Sequence, residues 1–327
     1  MDQLNETQRY FIEEHIADHR EGLISRRELL RRVTLIAGSA ALASTILAAC
    51  DLSPKPAATS SSPGPSASAT GSPGLVAQPF ATPPPAATTD GITVKESDPR
   101  ITVSKPQVKG ADGANLQAYM ATPNVSGRVP GVVVIHENRG QTEHIRDVVR
   151  RLATAGFVAL NIDLAARDGG AATLTDQAAY NAALGKRSVS DKNADHNAAI
   201  QFLKSQTSGT IGVVGFCFGG GETWNVVVAG LDVKAAVPFY GPKPTTNFDD
   251  LAKAKAAVSA VYAEQDTGIT GTAPQMEEQL RKAGVPYKIT TYPGVGHAFY
   301  NDTGARYNPE QARLAWVATI EWFRKYL

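Results

Sequence analysis

The apolar positions between Gly91 and Leu327 change period several times, and each change marks an element. Ile101 to Val108 and Leu116 to Thr122 alternate apolar with polar residues around Asp112-Gly113, which predicts an opening β-hairpin. Val132-Val133-Val134-Ile135 is a continuous β-branched run, the pattern of a strand buried on both faces. Ile145, Val148, Val149 and Leu152 follow at helical spacing and stop at Gly156, placed as a residue just past a helix end. Phe157 to Ile162 predicts a strand, Ala194 to Leu203 a helix and Ile211 to Val214 a strand. Val233 to Phe239, Ala257 to Ala263 and Tyr287 to Tyr292 supply later strands, with helices near Ala273 to Ala283 and Glu310 to Tyr326. Such alternation predicts one α/β domain over residues 91–327, a mostly parallel doubly wound sheet with helices on both faces.

The first ninety residues read differently. Ser25-Arg26-Arg27-Glu28-Leu29-Leu30 precedes an apolar run from Val33 to Ala49, the outline of a twin-arginine export signal. Rich in Ala, Gly and Ser, that run is short for a spanning helix and reads as a removable segment. Leu47-Ala48-Ala49-Cys50 resembles a bacterial lipobox, in which Cys50 is acylated and begins the mature chain. Residues 1–49 are therefore expected to be a signal segment. Residues 50–90, dominated by Pro, Ser, Ala and Thr, lack the apolar surface to offset ordering entropy and are expected to tether the domain to a membrane. The amphipathic stretch from Gln3 to Arg20 has no place in this scheme.

Apolar residues make up 43% and charged residues 19% of the 327, globular values, and the net charge is +1. No global field favours nucleic acid. The two cysteines, Cys50 and Cys217, lie in such different contexts that a disulfide between them is not expected.

Gly215-Phe216-Cys217-Phe218-Gly219 follows an apolar strand and leads into two more glycines and a helical segment. It has the form of a nucleophile elbow with Cys in place of Ser. A tight strand-to-helix turn strains its apex and crowds the flanking backbone, so glycines are needed beside it. The helix N-terminus would favour a thiolate and a developing oxyanion. A thiol needs a base and the base an orienter. Asp266 lies just past the strand ending at Ala263, and His297 lies in the glycine-rich loop after the last strand. The order Cys, Asp, His is that of the α/β-hydrolase fold. His136 is the one rival histidine.

The segments Val134-Ile135-His136-Glu137-Asn138-Arg139-Gly140, Gly215 to Gly221 and Gly296-His297-Ala298-Phe299 closely resemble the dienelactone hydrolase, or carboxymethylenebutenolidase, family. The resemblance implies an α/β-hydrolase fold and gives Glu137 the role of the acid that contacts the resting thiol. The main-chain N–H groups of Asn138 and Phe218 are then the expected oxyanion donors. Arg167 matches the family's substrate-carboxylate arginine, whereas Asn301 stands where a second arginine is usual. The expected activity is hydrolysis of a small ester or lactone through an acyl-thioester on Cys217, without cofactor or metal ion; the sequence leaves the oligomeric state open and favours a monomer. Two alternatives remain open: an exported carboxylesterase or polyester hydrolase, and a binding protein without chemistry on the same fold.

Overall fold

The computed structural model describes residues 4–50, 52–53, 92–244 and 246–327. Among the described residues nine strands form the sheet, in the order β1-β3-β5-β4-β6-β7-β8-β9, with β2 also pairing β3. The expected hairpin forms, but Lys105-Pro106 divides its first arm into β1 (Ile101–Ser104) and β2 (Gln107–Lys109), both antiparallel to β3 (Asn115–Pro123). Proline has no N–H to give a ladder, so a break there is the natural outcome. From β5 (Val158–Ile162) through β4 (Gly131–Ile135), β6 (Ile211–Phe216), β7 (Ala235–Phe239) and β8 (Ala257–Ala263) to β9 (Tyr287–Tyr292), every pairing is parallel. All residues of β4, β5, β6, β7 and β8 are buried, as continuous apolar runs covered on both faces must be.

The later helices are α4 (Glu143–Thr154), α5 (Gly170–Thr173), α6 (Gln177–Gly185), α7 (Val189–Gln206), α8 (Phe218–Val228), α9 (Thr267–Thr270), α10 (Ala273–Ala283) and α11 (Pro309–Tyr326). This is the expected α/β-hydrolase architecture. Gly156, at φ 100°, takes the left-handed conformation expected just past α4.

Three helices ahead of the domain pack on it among the described residues: α1 (Glu6–Arg20), α2 (Arg26–Ala37) and α3 (Ala40–Ala48). Asn5 and Gln8 cap α1 reciprocally, and Ser25 and Ser39 cap α2 and α3. Phe11, Leu29, Val33 and Ala43 are fully buried and join the domain core. The expected apolar signal run is split by Gly38, at φ 73°, between α2 and α3. Among the described residues no helix is long and apolar enough to cross a membrane. Most of the expected tether, residues 54–90 with Asp51, lies outside the described residues.

Candidate active site

Cys217 occupies the turn between β6 and α8 at φ 57° and ψ −121°, a conformation an L-residue holds only where its surroundings impose it. The crowding is measurable at its flanks. A Cβ on Gly215 would come within 2.0 Å of the Gly219 carbonyl oxygen, and one on Gly219 within 2.4 Å of that of Ile135. Cys217 N–H donates to Phe239 O at 3.1 Å, fixing the turn to β7. Phe218 opens α8, where the first N–H groups have no helical acceptor.

His297 Nδ1 lies 2.6 Å from Asp266 Oδ2. Its Nε2 is buried without a hydrogen-bond partner, and the donor atoms of Cys217, His297 and Glu14 all lie within 4.8 Å of one another. Among the described residues this trio is the one cluster of metal-ligand type. The Tyr240 ring, edge-on at 5.0 Å, walls the imidazole. Burial raises the Cys217 thiol pKa against the opposing influence of His297. For His297 burial acts downward, yet Glu14, Cys217 and Asp266 together hold the imidazole well above its usual range.

Glu137 is buried after β4; its Oε2 accepts from Asn301 Nδ2 at 2.6 Å, and its Oε1 has no partner. Asn301 therefore faces Glu137, and its own oxygen accepts from Thr303, so a substrate-binding role for its side chain does not follow from the geometry. Arg167 is likewise occupied. Its guanidinium pairs with Asp112 at 2.7 and 2.8 Å and with Asp195 at 2.7 and 2.8 Å, instead of standing free for a carboxylate. His136 is a structural histidine: Nδ1 donates to Glu137 O at 2.6 Å and Nε2 accepts from Leu164 N–H at 3.2 Å, which fixes a neutral ring. Burial lowers its pKa accordingly. Cys50 is half-buried at the end of α3, packed against the core.

Two side chains that the sequence left without a role meet the site. Tyr10 Oη lies 3.1 Å from Cys217 Sγ, and Glu14 Oε2 lies 3.6 Å from His297 Nε2. Both belong to α1, where Thr7, Phe11, Ile12 and Ile16 form the buried stripe that was legible as amphipathicity.

Residues 116–327 match the dienelactone hydrolase family model. The chain belongs to the dienelactone hydrolase family. A Methylorubrum extorquens protein named "Putative carboxymethylenebutenolidase" is 36% identical over 224 residues, 64% of this chain and 77% of that protein. One of the same name from Escherichia coli K12 is 32% identical over 230 residues, 66% of this chain and 84% of the other. The crystal structure titled as a putative dienelactone hydrolase from Klebsiella pneumoniae superposes with a TM-score of 0.64 at 30% identity, covering 69% of this chain and 99% of that one. The family match thus runs from β3 to the end of the domain and leaves α1, α2 and α3, with β1 and β2, outside the matched residues. Membership makes the protein a hydrolase of the dienelactone hydrolase type.

Proposed function

We propose that this hydrolase cleaves esters or lactones through an acyl-thioester on Cys217. The observation that carries the reading is the Asp266–His297 bond of 2.6 Å, with the imidazole beside a thiol at the apex of a strained turn. With His297 neutral, the form that can act as a base, Sγ attacks the carbonyl carbon while the thiol proton passes to Nε2. The negative charge gathers on the carbonyl oxygen, and the N–H groups of Phe218 and Asn138 are its donors. Collapse expels the alkoxide, which takes the proton from Nε2; water, deprotonated by the same nitrogen, then cleaves the thioester. Asp266 keeps the proton on Nδ1 throughout. Burial foremost, with Glu137 adding to it, raises the thiol pKa and keeps the resting sulfur neutral.

The substrate class this supports is neutral. With Arg167 held by Asp112 and Asp195 and Asn301 by Glu137, the two positions expected to hold a carboxylate are engaged elsewhere. The test is a panel of p-nitrophenyl esters and neutral lactones beside a dienelactone. Neutral substrates are expected to react with higher kcat/KM, and Cys217→Ala to retain less than about a hundredth of kcat, the scale of loss when a nucleophile is removed. A Cys217→Ala protein with undiminished turnover would end the reading.

We further propose that the chain is exported by the twin-arginine route and acylated on Cys50. Arg26 and Arg27, both exposed at the start of α2, support a readable signal. Mass spectrometry of the mature N-terminus from a bacterium with lipoprotein processing tests it; an unmodified chain that begins elsewhere would remove the anchor.

A further inference from the structure

Helix α1 lies across the candidate active site and contacts it in register. Thr7 Oγ1 accepts from Lys192 Nζ at 2.6 Å, Tyr10 reaches the thiol and Glu14 the imidazole, so positions separated by three, four and seven meet successive parts of one surface. Phe11 is fully buried with its ring 5.3 Å from that of Phe218, the elbow residue proposed above as an oxyanion donor. The ends of the helix are fixed as well. Asn5 Nδ2 donates to Gly185 O at 2.6 Å, and Arg306 donates to Asp18 at 3.0 Å and to Glu21 at 2.6 Å. With its amide oxygen turned to His15 Nε2 at 3.2 Å, Asn181 donates to Asn138 O at 2.5 Å, which links α1 to the other oxyanion segment.

An attacked carbonyl must approach Sγ to about 3–3.5 Å. Tyr10 Oη already stands there. The open space left nearby, ≈ 310 Å³, lies beside Phe218 and has Thr7, Tyr10 and Glu13 of α1 in its own wall. We propose that α1 is a built-in plug of the active site, and that the full chain is a latent form which becomes active when α1 leaves. The inference rests on Cys217 being the nucleophile. On the export reading, cleavage before Cys50 removes α1, α2 and α3 together, so maturation would open the site.

The alternative is that Tyr10 works in catalysis as a donor, and the experiment separates the two. In the full chain carrying Cys50→Ala, so that Cys217 is the sole thiol, alkylation by iodoacetamide is followed by intact mass, with p-nitrophenyl acetate turnover in parallel. Phe11→Asp places a carboxylate at a fully buried position and should expel α1. It is expected to speed both alkylation and turnover by at least about tenfold, since a site plugged nine-tenths of the time leaves a tenth competent. Arg306→Ala, a milder change outside the domain core, should speed both to a smaller degree, and Tyr10→Phe should not lower turnover. Faster alkylation with no turnover of any ester would uphold the plug and defeat the ester-hydrolase reading instead. Equal alkylation in parent, Phe11→Asp and Arg306→Ala, or a loss of turnover in Tyr10→Phe, overturns the proposal.

Discussion

Asn301 shows how a position can be found by pattern and still be given another task by its neighbours. Its place four residues after His297 is where the family's second arginine stands, and the amide there is bonded to Glu137. Glu137 Oε1 already lacks a partner, so Asn301→Ala would leave the whole buried carboxylate without one. A cost of about 1–3 kcal/mol is expected, read as a lower denaturant midpoint at unchanged m-value. Asn301→Arg would set its charge against Glu137 and not against a substrate. It should leave the preference between neutral ester and anionic lactone unchanged; a rise of about tenfold in relative kcat/KM for the anionic lactone would show that the guanidinium is free. Residue identity picked out Cys217, Asp266 and His297, which the fold brings into one cluster, because the roles proposed for them need those functional groups at strand ends. The partners of Arg167 and Asn301 were not legible, since Asp112 and Asp195 lie far from Arg167 in sequence and meet it only through the fold.

At the scale of elements, β8 begins and ends where its pattern does, an apolar run buried on both faces; β9 does so too, although only Tyr292 in it is buried. Helix α7 was read short. Its first turns carry Lys192, Asp195 and His196, buried through ion pairs with Glu222 and Arg167, so its inward face does not look apolar. The elbow is held by contact between elements as much as by its own turn. Gly219 packs on the carbonyl oxygens of Ile135 and His136 at the end of β4, the segments that carry the proposed oxyanion donors Phe218 and Asn138. Gly219→Ala would force backbone against backbone there. It is expected to cost about 1–3 kcal/mol, the range of core overpacking, and to lower kcat more than it raises KM because the two oxyanion donors are moved apart. Retained kcat in a folded Gly219→Ala protein would mean that this spacing does not matter to the reaction.

For the molecule as a whole, the decisive feature is that a segment read as a detachable leader is packed onto the site, and pH should govern how firmly. His297 faces Glu14 from α1, Cys217 from the elbow, and Asp266 from the loop after β8, with the Tyr240 ring alongside. Its pKa in the docked state is raised well above the ordinary imidazole value despite burial. Of the influences that raise it, Glu14 alone belongs to α1, and that share stabilises docking fully below the undocked pKa and disappears as pH rises through the raised one. Tyr10 is raised too, by burial first and then by Cys217 and Glu14, and it acts in the same direction at higher pH. Glu14 is raised chiefly by burial, so its contribution is lost already between its ordinary carboxylate pKa and the raised value, on the acidic side. Asp18 runs the other way. Burial opposes its ionisation, but His15 and Arg306 lower its pKa, so its share is present above the ordinary value and lost as pH falls through the lowered one. Docking should therefore hold around neutral pH and loosen in alkali. Hydrogen exchange over residues 6–20, corrected for the intrinsic rate, is expected to accelerate as pH is raised while β6 and β8 keep their protection. Glu14→Gln should shift that release to lower pH, since it removes the first of the influences that raise His297. Exchange in α1 that is independent of pH in both proteins would show that the imidazole does not hold the helix.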